Sequence, residues 1–71
     1  MNTKVLERLG KKLKFARKEA NLTQEDLAEK VGIHPTYVGK LESGKNNPSF
    51  LLLYKISRAL KIRLNDLTNV D

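Results

Sequence analysis

The sequence contains no cysteine and no tryptophan, only two prolines and a single histidine. Without cysteine there is neither a disulfide nor a thiolate zinc site to staple the chain. The lone His34 cannot form a metal site by itself. Long hydrophobic runs are missing too. The longest is FLLLY at 50–54, far short of the ~20 residues that a bilayer crossing needs. The opening stretch MNTKVLERLGKKLKFARK lacks the continuous apolar core of a signal peptide, although its basic amphipathic pattern also suits a membrane-surface helix. No nucleophile–base pair, carboxylate dyad or glycine-rich phosphate loop can be picked out. An enzyme is therefore the least expected class, no cofactor is expected, and the expected location is the cytoplasm.

Negative charge is also in short supply. Eight acidic residues stand against fourteen basic ones, for a net charge of +6 over 71 residues. That balance favours a polyanionic partner, nucleic acid first and an anionic membrane second. A small soluble domain can also carry such a charge without any partner. The length suits one small domain over residues 1–71, near the lower limit of independent stability. Its stability must come from helix packing, alone or with a partner chain.

What is present is helical periodicity from end to end, with no competing strand pattern. Leu6, Leu9, Leu13, Ala16 and Ala20 recur at helical spacing and predict a first helix over 3–20. Lys4, Lys11, Lys12, Lys14 and Lys18 lie off that stripe, and Asn21 can end the helix in the left-handed conformation. Thr23 can cap a second helix, with Asp26 completing a capping box, Leu27, Ala28 and Val31 facing inward, and Gly32 ending it. A third helix begins near His34, with Pro35 at its first position, Val38 and Leu41 inward and Gly44 closing it. Ser49 caps a fourth helix whose expected buried face is Phe50, Leu53, Tyr54, Ile56 and Leu60. A short fifth helix over 64–69 turns Leu64 and Leu67 inward.

Small Ala28, the turn at Gly32 and the flanking apolar residues make helices 2 and 3 a rigid pair joined by a short turn, the helix-turn-helix unit. The outward positions of the third helix are unusual for a chain this charged. Pro35, Thr36, Tyr37, Gly39, Lys40 and Ser43 carry little charge and one aromatic ring. Such a face suits a partner better than bulk water.

The segments LTQEDLA (22–28), VGI (31–33), TYV (36–38), LESGKNNPS (41–49) and ALKIRLNDL (59–67) together resemble the lambda-repressor/Cro-like, or XRE, family. The resemblance covers essentially the whole chain. HPTYVGKLESGKNNPS is similar to restriction–modification controller proteins in particular, with Pro35 and Asn46 where those often carry a basic residue. The resemblance implies an all-α fold of five compact helices, binding to double-stranded DNA and a homodimer. It implies that the outer face of helix 3 enters the major groove, a channel ~12 Å wide whose floor displays base edges and thymine methyls. Thr36 and Lys40 then become candidate base contacts. Tyr37 either reaches DNA or folds back on the core beside Ile33, and Gly39 either leaves room for DNA or is merely tolerated. His34 fits best as a helix cap. Gln24 is placed against a phosphate, where it can equally cap helix 2. Lys45, Asn46 and Asn47 are placed on the next phosphates, although a polar turn explains them too. Arg17 and Glu42 are implied to pair, tying helix 1 to helix 3 and aiming the guanidinium toward the DNA backbone.

The leading expectation is a sequence-specific transcriptional regulator acting as a homodimer on a near-palindromic operator, with no small-molecule ligand and no membrane partner. An antitoxin-type protein that binds both a partner protein and its own promoter is the alternative. Leu51 and Leu52 widen the apolar face of helix 4, which either a dimer seam beside Leu64, Leu67 and Val70 or a wrapped N-terminal segment would explain. Val5 and Phe15 on helix 1 are further apolar residues in excess of the first helix's stripe.

Overall fold

Three of the helix starts have a local chemical cause in a capping side chain. In the computed structural model, residues 3–70 are described, and among them the chain forms five helices and no strand. These are α1 (Thr3–Glu19), α2 (Gln24–Val31), α3 (Pro35–Glu42), α4 (Phe50–Leu60) and α5 (Leu64–Thr68). No helix among the described residues is long and apolar enough to cross a membrane.

The first turn of a helix leaves backbone N–H groups without partners. At α2 the Thr23 hydroxyl accepts from the Asp26 N–H at 3.0 Å, and the Asp26 carboxylate accepts from the Thr23 N–H at 2.9 Å. The capping box is therefore complete with Asp in the place of the usual Glu or Gln. The Thr23 N–H, and then its hydroxyl, hold the Asp26 carboxyl below its ordinary pKa. At α3 the His34 Nδ1 accepts from the Thr36 N–H at 3.0 Å, with Pro35 at the first helical position. At α4 the Ser49 hydroxyl accepts from the Leu52 N–H at 3.1 Å. The helices end in left-handed residues: Asn21 after α1, Gly32 after α2 and Lys61 after α4. Lys61 carries a Cβ into a region that disfavours one, and nothing in the chain marks it beforehand as a helix end.

The core is one cluster of Leu13, Leu27, Ala28, Val38, Leu41, Ile56, Leu60 and Leu67. Every helix contributes to it. The buried face of α4 differs from expectation: Phe50 is 72% exposed and Tyr54 45%. Ile56 and Leu60 are buried as expected, Ser57 is buried with them, and Leu52 and Leu53 are half-buried. The inward row starts at Leu53 and runs through Ile56 and Leu60 at helical spacing, so Tyr54 is rotated off it. Phe50 opens the helix before that row begins. Tyr54 instead lies under the Arg58 guanidinium, 6.0 Å from ring centre to Cζ. Leu67 is fully buried in the core, which removes it from the expected dimer seam.

The inner side of α1 also holds a feature outside its leucine stripe. Gly10 is buried where α1 passes the end of α3. A Cβ there would sit 2.5 Å from the Glu42 carbonyl oxygen and 2.6 Å from that of Leu41. Those atoms are backbone and cannot step aside. Gly39, in the middle of α3, is different: its nearest neighbour is the Gln24 amide at 3.7 Å, an ordinary contact distance. The two glycines should therefore respond in opposite directions. Gly10→Ala is expected to destabilise by ~1–3 kcal/mol or more, because the helices must separate. Gly39→Ala is expected to stabilise by ~0.5–1 kcal/mol through helix propensity alone. Urea unfolding of both variants checks the pair of signs.

Candidate nucleic-acid interface

α2 and α3 are joined by the three residues 32–34. The Ala28 carbonyl accepts from both the Gly32 N–H at 2.8 Å and the Ile33 N–H at 3.0 Å. These two hydrogen bonds to one carbonyl fix the exit of α2, and Gly32 at φ 83 turns the chain without strain. Leu27 and Ala28 of α2 and Val38 and Leu41 of α3 are buried together. The turn and the shared core leave α3 little freedom to rotate.

A buried polar cluster fixes it further. Arg17 and Glu42 are 7% and 8% exposed. Arg17 Nε donates to Glu42 Oε2 at 2.6 Å, and its Nη2 donates to Oε1 at 3.2 Å. Its Nη1 donates to the Leu22 carbonyl at 2.7 Å. Gln24 Nε2 donates to Glu42 Oε1 at 3.1 Å. One carboxylate thus joins α1, α2 and α3. The pair expected between Arg17 and Glu42 is present, and it is two-pronged, the geometry in which guanidinium and carboxylate bind most strongly.

The cluster also decides the charge on the outer side of α3. Glu42 is the only acid in this helix, and its carboxylate is turned inward onto Arg17. Thr36, Lys40 and Ser43 recur at i, i+4 and i+7, so they form one outward row, and all three are exposed. The Ser43 hydroxyl donates to the Lys40 carbonyl at 3.1 Å and closes the helix end. Pro35 and Tyr37 are half-buried, and Tyr37 packs against the edge of the core. Beyond the helix, Lys45 and Asn47 are exposed and Asn46 half-buried, while buried Pro48 anchors the loop. Gln24 is half-buried at the start of α2, beside Gly39 of α3. The structure thus gathers Thr36, Lys40, Ser43, Lys45 and Asn47 along the exposed side of α3 and the loop after it. Arg17 is the exception: it lies inside, with all three of its nitrogens donating within the chain.

A helix-turn-helix family profile matches residues 13–67, from the middle of α1 into α5. The chain belongs to the XRE helix-turn-helix family. The control protein C.MunI of a Mycoplasma species is 44% identical over 61 residues, which is 84% of this chain and 82% of that protein. The restriction-modification controller protein C.AhdI from Aeromonas hydrophila superposes with a TM-score of 0.85 at 35% identity, covering 87% of this chain and 94% of that one. SinR, a master regulator for biofilm formation solved in complex with DNA, superposes with a TM-score of 0.79 at 33% identity, covering 83% and 95%. This member of the family is a transcriptional regulator with a DNA-binding helix-turn-helix on a five-helix, lambda-repressor-like fold.

One residue that positions α3 escaped sequence reasoning. Gly10 sets how closely α1 approaches the Glu42 end of α3. Its signal was available, since glycine inside a helix costs about 0.5–1 kcal/mol against alanine and calls for a reason.

Breaking one half of a buried ion pair leaves the other charge stranded. Arg17→Ala and Glu42→Ala are each expected to destabilise by ~3–5 kcal/mol. The double variant should lose much less than the sum, because neither charge is then left alone. A double-mutant cycle in urea measures the coupling, and additive single effects would contradict a direct pair.

Proposed function

We propose that the protein recognises a specific sequence in double-stranded DNA, with the outer row of α3 in the major groove, and that it does so as a homodimer on a near-palindromic operator. The observation that carries this reading is the carboxylate-free row of Thr36, Lys40 and Ser43 on a helix whose only acid is neutralised internally. Thr36 and Lys40 are assigned to base edges. Pro35 and Tyr37 flank them against sugars and thymine methyls. Gln24, Ser43, Lys45, Asn46 and Asn47 are assigned to phosphates, which fix register without reading sequence. Arg17 serves by holding Glu42, and through it α3 and Gln24, in place. The net charge of +6 supplies the attraction that precedes docking.

A helix of eight residues spans about 12 Å and meets only a few base pairs. Two copies with recognition helices about 34 Å apart would read two half-sites on one side of the duplex, about 10 bp apart. Leu51, which is 59% exposed, is the centre of the proposed seam, beside half-buried Leu52, Leu64 and Val70.

Selection of bound sites from random duplex DNA, followed by salt titration, tests the reading. A dimer making ~6–10 phosphate contacts should show log affinity falling with log salt at a slope of about −5 to −9. Thr36→Ala or Lys40→Ala should change the preferred bases and weaken the cognate site by ~1–3 kcal/mol. Lys45→Ala should weaken every sequence alike and reduce the slope by about one. A selected motif left unchanged by both Thr36→Ala and Lys40→Ala would contradict the assignment of α3.

The seam has its own check. Leu51→Lys is expected to shift the sedimentation mass towards the monomer in dilute solution and to lower operator affinity, while thermal stability stays near that of the parent. An unchanged mass and affinity would remove the α4 seam.

A further inference from the structure

We propose that the groove between the C-terminal end of α2 and the C-terminal half of α4 docks an acidic peptide segment of a partner protein, one that carries apolar side chains among its carboxylates. The groove is open, about 600 Å³ in volume, and the charges that line it are all of one sign. Lys30 comes from α2, Lys55 and Arg58 from α4, and Lys61 from the residue that ends α4. Half-buried Val31 and Ala59 set apolar surface between these cations, and Tyr54 adds a ring.

This positive charge is not neutralised inside the chain. Among the described residues none of the four cations forms a salt bridge. α2 carries two acids close to Lys30 in sequence, Asp26 and Glu29, and neither lines the groove. Asp26 feels Lys30 across one helical turn, but its carboxylate accepts from the Thr23 N–H. Glu29 is rotated about 100° around the helix from Lys30. Even with both counted, cations outnumber carboxylates two to one. No described residue of α1, α3 or α5 lines the groove, so it is separate from the outward row of α3.

Two of the cations are held in ways that a plain solvated surface does not need. Lys61 sits at φ 59, the left-handed conformation in which a Cβ is strained and glycine is favoured. A lysine there costs stability, and its place in the groove gives that strain a use. The Arg58 guanidinium stands 6.0 Å from the centre of the Tyr54 ring, which restrains it and leaves its N–H edge for a two-pronged contact with a carboxylate. The apolar surface decides between anions. An open groove does not enclose a small molecule, which needs most of its surface covered. A duplex offers a rigid outer surface of phosphate and sugar and would leave Val31 and Ala59 unmatched. An extended peptide supplies carboxylates and apolar side chains together, and clustered cations commonly read acidic motifs. From Tyr54 to Lys61 the helix rises about 10 Å, the length of about three extended residues.

Isothermal titration calorimetry tests it with an end-blocked synthetic peptide that has two glutamates on each side of a leucine–phenylalanine pair. The parent should bind this peptide saturably, and changing the apolar pair to serines should weaken binding by about tenfold at unchanged charge. Lys30→Ser and Lys55→Ser should each weaken it by a similar factor. Lys61→Gly should raise the urea midpoint and yet weaken peptide binding, two effects that a disturbed fold does not combine. The sedimentation mass of each variant should match the parent's, so that the loss is not one of assembly. A parent that ignores the peptide would overturn the proposal, as would a serine peptide that binds equally well or a Lys61→Gly protein that binds as the parent does. Salt titration on random-sequence duplex DNA separates the nucleic-acid reading of the same groove: Lys55→Ser and Lys61→Gly should leave the slope unchanged. A slope reduced by about one for each would give the groove to phosphates and overturn the peptide.

Discussion

The placement of α3 in the helix-turn-helix rests on one carboxylate. Glu42 is withdrawn from water at the end of α3, and removing an ion from water is costly unless its lone pairs are met. Here they are met by three donors drawn from two other helices: two from Arg17 on α1 and one from Gln24 on α2. Small displacements of any helix would lengthen one of these bonds in a setting where unmet polar groups are penalised most. An eight-residue helix would be marginal by itself in water. In this molecule its tilt and rotation are set at three points: the capped start at His34, the buried pair of Val38 and Leu41, and the Glu42 cluster.

Gly10 belongs to the same constraint, although it makes no polar bond. Arg17 reaches Glu42 only because the α1 backbone passes close to the end of α3, and a glycine at the crossing permits that approach. The helix accepts a residue of poor propensity at one position so that a buried ion pair two turns away can close. Packing and electrostatics are therefore coupled along a single inner face of α1, through Gly10, Leu13 and Arg17.

Much of this was legible in the residues. Thr23, His34 and Ser49 announced helix starts, Asn21 and Gly32 announced ends, and the 3–4 spacing of apolar residues placed most of the core. The pairing of Arg17 with Glu42 came from family resemblance, since no local pattern links residues 25 apart. What stayed hidden depends on tertiary contact. Phe50 and Tyr54 look like core residues by type, yet which part of a helix is covered depends on where its neighbours lie. Lys61 adopts a left-handed conformation that its side chain disfavours, imposed by the need to turn from α4 into α5. The resemblance pairs Arg17 with Glu42 but also aims the guanidinium toward the DNA backbone, and only its surroundings reveal that all three of its nitrogens donate inside the chain.

The buried cluster and the exposed row share one helix but no side chain. Val38, Leu41 and Glu42 hold α3 in the molecule; Thr36, Lys40 and Ser43 face away from everything that holds it. The outward letters can thus be rewritten with little effect on the frame that carries them. Such a separation makes the domain a chassis: a handful of solvent-facing positions can change with no repacking required to keep pace.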